Sequence, residues 1–166
     1  QTLVQKIGEN VSVRRAVLHE APQGVLGGYV HGKNRIAAMV MLEGGTGGLA
    51  RDIAMHIAAL SPQVVSPDQM PKTVVAKERE IYESQAKESG KPAPIIEKMV
   101  DGKIRKFLSE NSLTEQGFVK DPNTTVGNLI STAGAKILGF TRFEVGEGIE
   151  VEKANFAAEV AAQLTN

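Results

Sequence analysis

The side chains best suited to proton transfer or metal binding near neutral pH are three histidines, His19, His31 and His56, in a chain that has no cysteine. A metal centre would require the three to converge, and no ligand spacing such as His-Glu-x-x-His occurs. His56 falls on an apolar helical stripe, the setting of a packed histidine with one hydrogen-bonded nitrogen. His31 falls at a hairpin tip, where it serves either a partner contact or the local turn. Glu144, Glu147 and Glu150 recur every third residue, but Gly146 and Gly148 deny them a common helical face. General acid–base work needs two carboxyls in opposed environments, and an exposed turn supplies none, so these are read as solvated or interface carboxylates. Arg14 and Arg15 are neighbours on an extended segment and point to opposite faces, one exposed and one paired with a carboxylate. The run Gly44-Gly45-Thr46-Gly47-Gly48 lacks the Gly-Lys-Ser/Thr ending that holds phosphate and magnesium, so it reads as a turn. Taken together these residues imply no catalytic centre, metal site or cofactor.

The elements that must carry these residues follow from hydrophobic periodicity. Val11, Val13 and Val17 alternate within 11–20, and 25–31 and 36–42 are rich in strand formers, so three strands are expected. The third is apolar throughout, as suits a strand covered on both faces or central in a small sheet. Gly32-Lys33-Asn34 between the second and third suits a hairpin turn. Leu49, Ile53, His56, Ile57 and Leu60 repeat at helical spacing and Pro62 closes that helix. Two further amphipathic helices are expected over 73–88 and 94–109, separated by Ser89-Gly90-Lys91-Pro92, a helix stop. Ile81, Ile96, Val100, Ile104 and Phe107 lie on their apolar stripes, facing inward or toward a second copy. Phe118-Val119 precedes a turn at Asp121-Pro122-Asn123. Residues 125–133 form a short helix ending at Gly134, 136–145 a fourth strand in one antiparallel sheet with the other three, and 151–164 a terminal helix along Val151, Phe156, Val160 and Leu164. The fold class is α+β: a small antiparallel sheet packed by helices and interrupted by a protruding antiparallel helical hairpin. A two-helix arm cannot bury both of its stripes on itself, so either the core or a partner covers it.

Composition sets the outer bounds. The 166 residues are 42% hydrophobic but only 4% aromatic, with no tryptophan, so aliphatic side chains and methionine fill the core. Nineteen basic residues balance nineteen acidic ones, and a neutral chain poor in aromatics lacks the footprint of a nucleic-acid binder. The absence of cysteine excludes disulfides and thiolate chemistry and suits the cytoplasm. No apolar run approaches the ~18 residues of a membrane span. The sequence starts at Gln1 in a helix-like stretch, Leu3, Val4 and Ile7, and is read as a fragment or processed product.

Eight collinear segments then carry a resemblance. They are Lys6-Ile7-Gly8-Glu9-Asn10 with VSVRR, His31-Gly32, the run Asp52 to Ala59, Ser89-Gly90-Lys91-Pro92, Ile96-Glu97-Lys98-Met99-Val100 with Lys106-Phe107, Thr125-Val126-Gly127, the run Arg142 to Glu150, and Phe156-Ala157-Ala158-Glu159-Val160. In this order they resemble bacterial elongation factor Ts over essentially the whole chain. The resemblance implies a protein that binds elongation factor Tu and speeds release of its GDP. It implies that residues 1–60 and 109–150 are the C-terminal subdomain of the core, facing the third domain of Tu. Residues 61–108 would be an antiparallel coiled-coil dimerisation module, and 151–166 the C-terminal module that touches the nucleotide-binding domain. His31, Gly32, Val119 and Phe156 resemble positions at the Tu surface, although the hairpin after His31 is one residue longer than is usual in the family. The family's Thr-Asp-Phe motif and N-terminal helical module do not occur in these residues.

Three readings follow. The chain is an exchange factor or its binding part, with Tu as partner and a second copy through the coiled coil. It is a dimerisation and assembly module without exchange activity, as when the family serves as a host subunit of certain RNA-phage replicases. Or it is a small enzyme with a histidine site, the reading least supported by the residues.

Overall fold

The computed structural model describes residues 2–9 and 13–148. In chain order the elements are α1 (Thr2–Ile7), β1 (Val25–His31), β2 (Ile36–Glu43), α2 (Gly47–Leu60), α3 (Lys72–Lys87), α4 (Ala93–Asn111), β3 (Gly117–Phe118), β4 (Asp121–Thr125), α5 (Val126–Thr132) and β5 (Lys136–Glu144). The fold is α+β.

β1 and β2 form an antiparallel hairpin in which Val25 faces Leu42 and His31 faces Ile36. Its turn takes positive φ at Gly32, Lys33 and Asn34 (35°, 50° and 62°), and Arg35 N–H closes it onto the Gly32 carbonyl at 3.1 Å. β5 adds to the far edge of β2, also antiparallel, so the order is β1-β2-β5 and the apolar strand is the central one. Ala38, Val40 and Leu42 point inward and are buried, while Ala37 and Met39 face the other way and are exposed.

α2 covers the inner face. The Thr46 hydroxyl caps it by accepting from Leu49 N–H at 3.2 Å, satisfying one orphan donor of the first turn. The Gly-rich run is therefore a turn that feeds a helix. Ala50, Ile53, Ala54, Ile57 and Ala58 meet the sheet and are buried, and Leu113, Phe118, Val126, Ile130 and Ile137 complete the core. Each of the larger side chains contributes roughly 1.5–3 kcal/mol through burial.

α3 and α4 pack side by side with the chain reversing at Gly90 (φ 65°). Ala86, Val100 and Ile104 are buried between them, bordered by Val75, Tyr82, Ile96 and Leu108, a cluster separate from the core. Arg79 pairs with Asp101 at 2.8 Å across the two helices, a half-exposed ion pair worth little by itself. The base of the hairpin is tied by backbone bonds: Gln63 N–H to Asn111 O, Leu113 N–H to Val64 O and Thr114 N–H to Val65 O, each 2.9 Å.

Two expectations are corrected. Of the strand expected over 11–20, residues 11 and 12 lie outside the described residues and 13–20 are not a strand. Among the described residues the sheet therefore has three strands rather than four. This extended stretch is held by side chains instead of a backbone ladder. Arg15 stacks over the Phe143 ring at 4.8 Å, Val17 borders an apolar cleft on the outer sheet face, and His19 Nε2 lies 2.7 Å from Thr141 Oγ1. Every second residue touches the sheet, which gives strand periodicity without strand pairing. The turn expected at Asp121-Pro122-Asn123 falls two residues earlier, at Val119-Lys120, and Asp121 opens β4. Among the described residues β4 pairs on one side only, so Pro122 forfeits no ladder bond that the strand requires. The terminal helix expected over 151–164, with Phe156, lies outside the described residues.

Candidate functional site

His31 ends β1 and stands exposed beside the turn that Gly32 opens. Tyr29 lies two residues before it on the same face of the strand, and its hydroxyl is 3.2 Å from His31 Nδ1. The two rings are tilted, with centroids 5.9 Å apart. A stiff hairpin thus presents an oriented imidazole at its tip.

Val119 occupies the two-residue turn between β3 and β4 and is 39% exposed. Its backbone, by contrast, is anchored. Val119 N–H donates to His56 Nδ1 at 3.2 Å, and Phe118 just before it is buried in the core with its ring 6.0 Å from the His56 ring. Lys120, just after it, pairs with Asp52 of α2. One turn of chain is therefore fastened to α2 on both sides of an apolar side chain that points out.

His56 itself is fully buried. Its Nε2 lies 2.9 Å from Gln116 Oε1, so both ring nitrogens are bonded, where the helical stripe led us to expect one. Burial holds its pKa below the ordinary value of 6.5, against a smaller upward contribution from the bond to Gln116. The imidazole is neutral at physiological pH. No sequence signal pointed to Gln116, because its role depends on a chain reversal after α4 that brings it under α2.

One of the two arginines meets a carboxylate as expected, Arg15 that of Glu147 at 3.1 Å, but Arg14 does not turn away from it and donates to the Glu147 backbone carbonyl. Glu144 pairs with Arg142 at 2.7 Å. Glu150 lies outside the described residues. Among the described residues no group of three or more histidine, aspartate or glutamate side chains converges as a metal would require. No helix among them is long and apolar enough to cross a membrane.

In the arm, Val100 and Ile104 (6% exposed) are buried between the two helices and Ile96 borders them. Ile81 is 41% exposed, and Phe107 is half-buried outside that cluster. The structure brings three of the five stripe residues together and leaves Ile81 facing outward.

These features meet a clear set of relatives. The sequence model described as elongation factor TS matches residues 1–147. The chain is 62% identical over 164 residues to elongation factor Ts of Hahella chejuensis, covering 99% of this chain and 57% of that protein. It is 59% identical to that of Teredinibacter turnerae and 58% to that of Saccharophagus degradans, again over 99% of this chain and 56% and 57% of the relatives. The matches define a group of translation elongation factors. Within it, this chain belongs to the elongation factor Ts family, and it spans little more than half the length of these curated relatives.

Proposed function

We propose that the chain binds elongation factor Tu and contributes to release of its GDP through protein–protein contact, with no chemistry of its own. The observation that carries this is the continuous family match through residues 1–147, which includes both exposed turns. Residues 1–60 and 109–150 act as the core subdomain that faces Tu, with His31, Gly32 and Val119 at the contact. Residues 61–108 act as a coiled-coil dimerisation module, and 151–166, with Phe156, as a C-terminal module. The place of action is the cytoplasm, where Tu works.

The design of the two turns supports this reading. Each holds one side chain in place: the Tyr29 hydroxyl orients the His31 imidazole, and the bond from Val119 N–H to His56 fixes the backbone that carries the Val119 isopropyl group. Preorganised contacts of this kind lose little entropy on binding. Acceleration of GDP release also requires tighter binding to the nucleotide-free state than to the GDP state, since only differential affinity shifts an equilibrium. These 166 residues lack the Thr-Asp-Phe motif, so by themselves they bind Tu with reduced affinity and accelerate exchange little.

Pull-down of Tu by the chain, followed by stopped-flow release of fluorescent GDP, tests both statements. Tu is retained, His31→Ala and Val119→Ala each weaken it by about tenfold, the scale of an interface anchor, and GDP release changes little. No retention of Tu sinks the binding reading. Near-full acceleration shows that the missing motif is dispensable.

A further inference from the structure

A line of hydrogen bonds runs from the end of α4 to the Val119 turn, and its direction is fixed at both ends by backbone groups that have only one role. At one end the Glu110 carbonyl can only accept, so Gln116 must present its amide nitrogen there, at 2.7 Å. That choice turns Gln116 Oε1 toward His56. An acceptor at 2.9 Å requires a proton on Nε2, so the neutral ring leaves Nδ1 bare. At the other end the Val119 N–H can only donate, and at 3.2 Å it finds that bare nitrogen. The two ends thus demand the same tautomer. Gln116 is buried and ties a further element, since its own carbonyl accepts from Val126 N–H at the start of α5.

We propose that His56 is a positioning residue for partner binding: through Nδ1 it pins the Val119 turn, and through Gln116 it joins that turn to the base of the helical arm. The inference rests on the reading above that Val119 meets the partner. Its geometric content does not. A turn of two residues closing a short, bulged ribbon has little ladder of its own, Gly117 facing Thr125 and Phe118 facing Asp121, so its anchors outside the ribbon place it. The bond from His56 is the one made to the backbone of Val119 itself. A buried apolar residue at position 56 would fill the space and leave the Val119 amide and the Gln116 side-chain Oε1 without partners.

Two substitutions separate the nitrogens. His56→Asn keeps an acceptor near the Nδ1 position, and His56→Gln keeps a polar end near Gln116 but withdraws it from Val119. Three measurements on the 166-residue protein then decide: the His56 tautomer from nitrogen chemical shifts, amide exchange at Val119 with Val40 and Leu42 as core references, and affinity for elongation factor Tu. The expected result is an Nε2–H tautomer. In His56→Gln the Val119 amide exchanges about tenfold faster, the scale of one lost hydrogen bond, with the core amides unchanged, and Tu affinity falls in step. His56→Asn keeps both near the parent values. An Nδ1–H tautomer in the parent overturns the proposal without recourse to any variant. So does unchanged Val119 exchange in His56→Gln, or a fall in Tu affinity that is equal in both variants. Val119→Ala with full affinity would refute the assigned contact surface instead, and the pin would then stand or fall on tautomer and exchange.

Discussion

Gly27 of β1 lies so close to Ala50 of α2 that a β-carbon at position 27 would fall 2.3 Å from the Ala50 carbonyl carbon and 2.5 Å from its Cβ. Strand and helix backbones touch there with no side chain between them. Gly27→Ala therefore pushes α2 off the sheet, with a cost of about 1–3 kcal/mol or more, as for overpacking elsewhere. Urea unfolding monitored by circular dichroism measures it. A loss below half a kilocalorie would mean that α2 shifts freely and that the contact is loose.

Acid should weaken the core through His56. Its folded pKa lies below the ordinary 6.5, so between those two values the unfolded chain binds the extra proton and the folded one does not. Stability from this group is complete above 6.5 and falls as pH drops below it, with a slope of at most about 1.4 kcal/mol per pH unit. Around it, Asp52 of α2 and Lys120 of the turn are paired, Arg142 of β5 donates to the Ala58 carbonyl, and Glu110 and Glu115 flank Gln116. Comparing melts of the parent and His56→Gln removes the contribution of groups common to both. If the difference between them stays constant from about pH 7.5 to 5.5, His56 does not titrate as its burial requires.

The arm should distinguish folding from association. Ile104 is buried between α3 and α4, and Ile104→Asp places a charge there without a partner. We expect loss of helical signal from the arm, at a cost of about 2–5 kcal/mol or more. Ile81 is exposed, so Ile81→Asp leaves the helices intact and disrupts only contact with a second copy. Sedimentation of both variants and the parent checks this. A parent that is monomeric at high concentration removes the dimer.

Removal of residues 66–104, with a short Gly-Ser linker, should leave a cooperative core. The backbone bonds that tie 63–65 to 111–114 survive the cut, as does the pairing of β5 with β2. Loss of amide dispersion together with a broad melt would show instead that the core needs the arm.

Much of this was legible in the residues because period and chemistry agreed. β1, β2 and β5 combine branched or apolar side chains with bounded lengths, α2 has its stripe and its proline stop, and Gly90 and Pro92 separate α3 from α4. Residues 13–20 show the limit: Arg15, Val17 and His19 alternate as a strand does, yet they face a sheet instead of joining one. Asp121-Pro122 misled in the opposite sense, since an edge strand tolerates turn residues. The His56–Gln116–Val119 connection was out of reach, because hydrogen bonds between distant segments leave no periodicity behind. Only the single-sided stripe on α2 hinted that position 56 is interior.

β2 and β5 are neighbours in space, Glu43 against Lys136, with residues 44–135 between them in the chain. This separation orders the birth of the molecule. The β1–β2 hairpin, α2 and the arm can each form from contacts close in sequence, whereas the third strand must wait for the whole intervening stretch to be made. During synthesis the edge of β2 stays unpaired until β5 leaves the ribosome, and a bare apolar strand edge is a template for wrong partners. Until β5 arrives, the β1–β2 hairpin carries an open apolar edge, which β5 itself or a chaperone must cover.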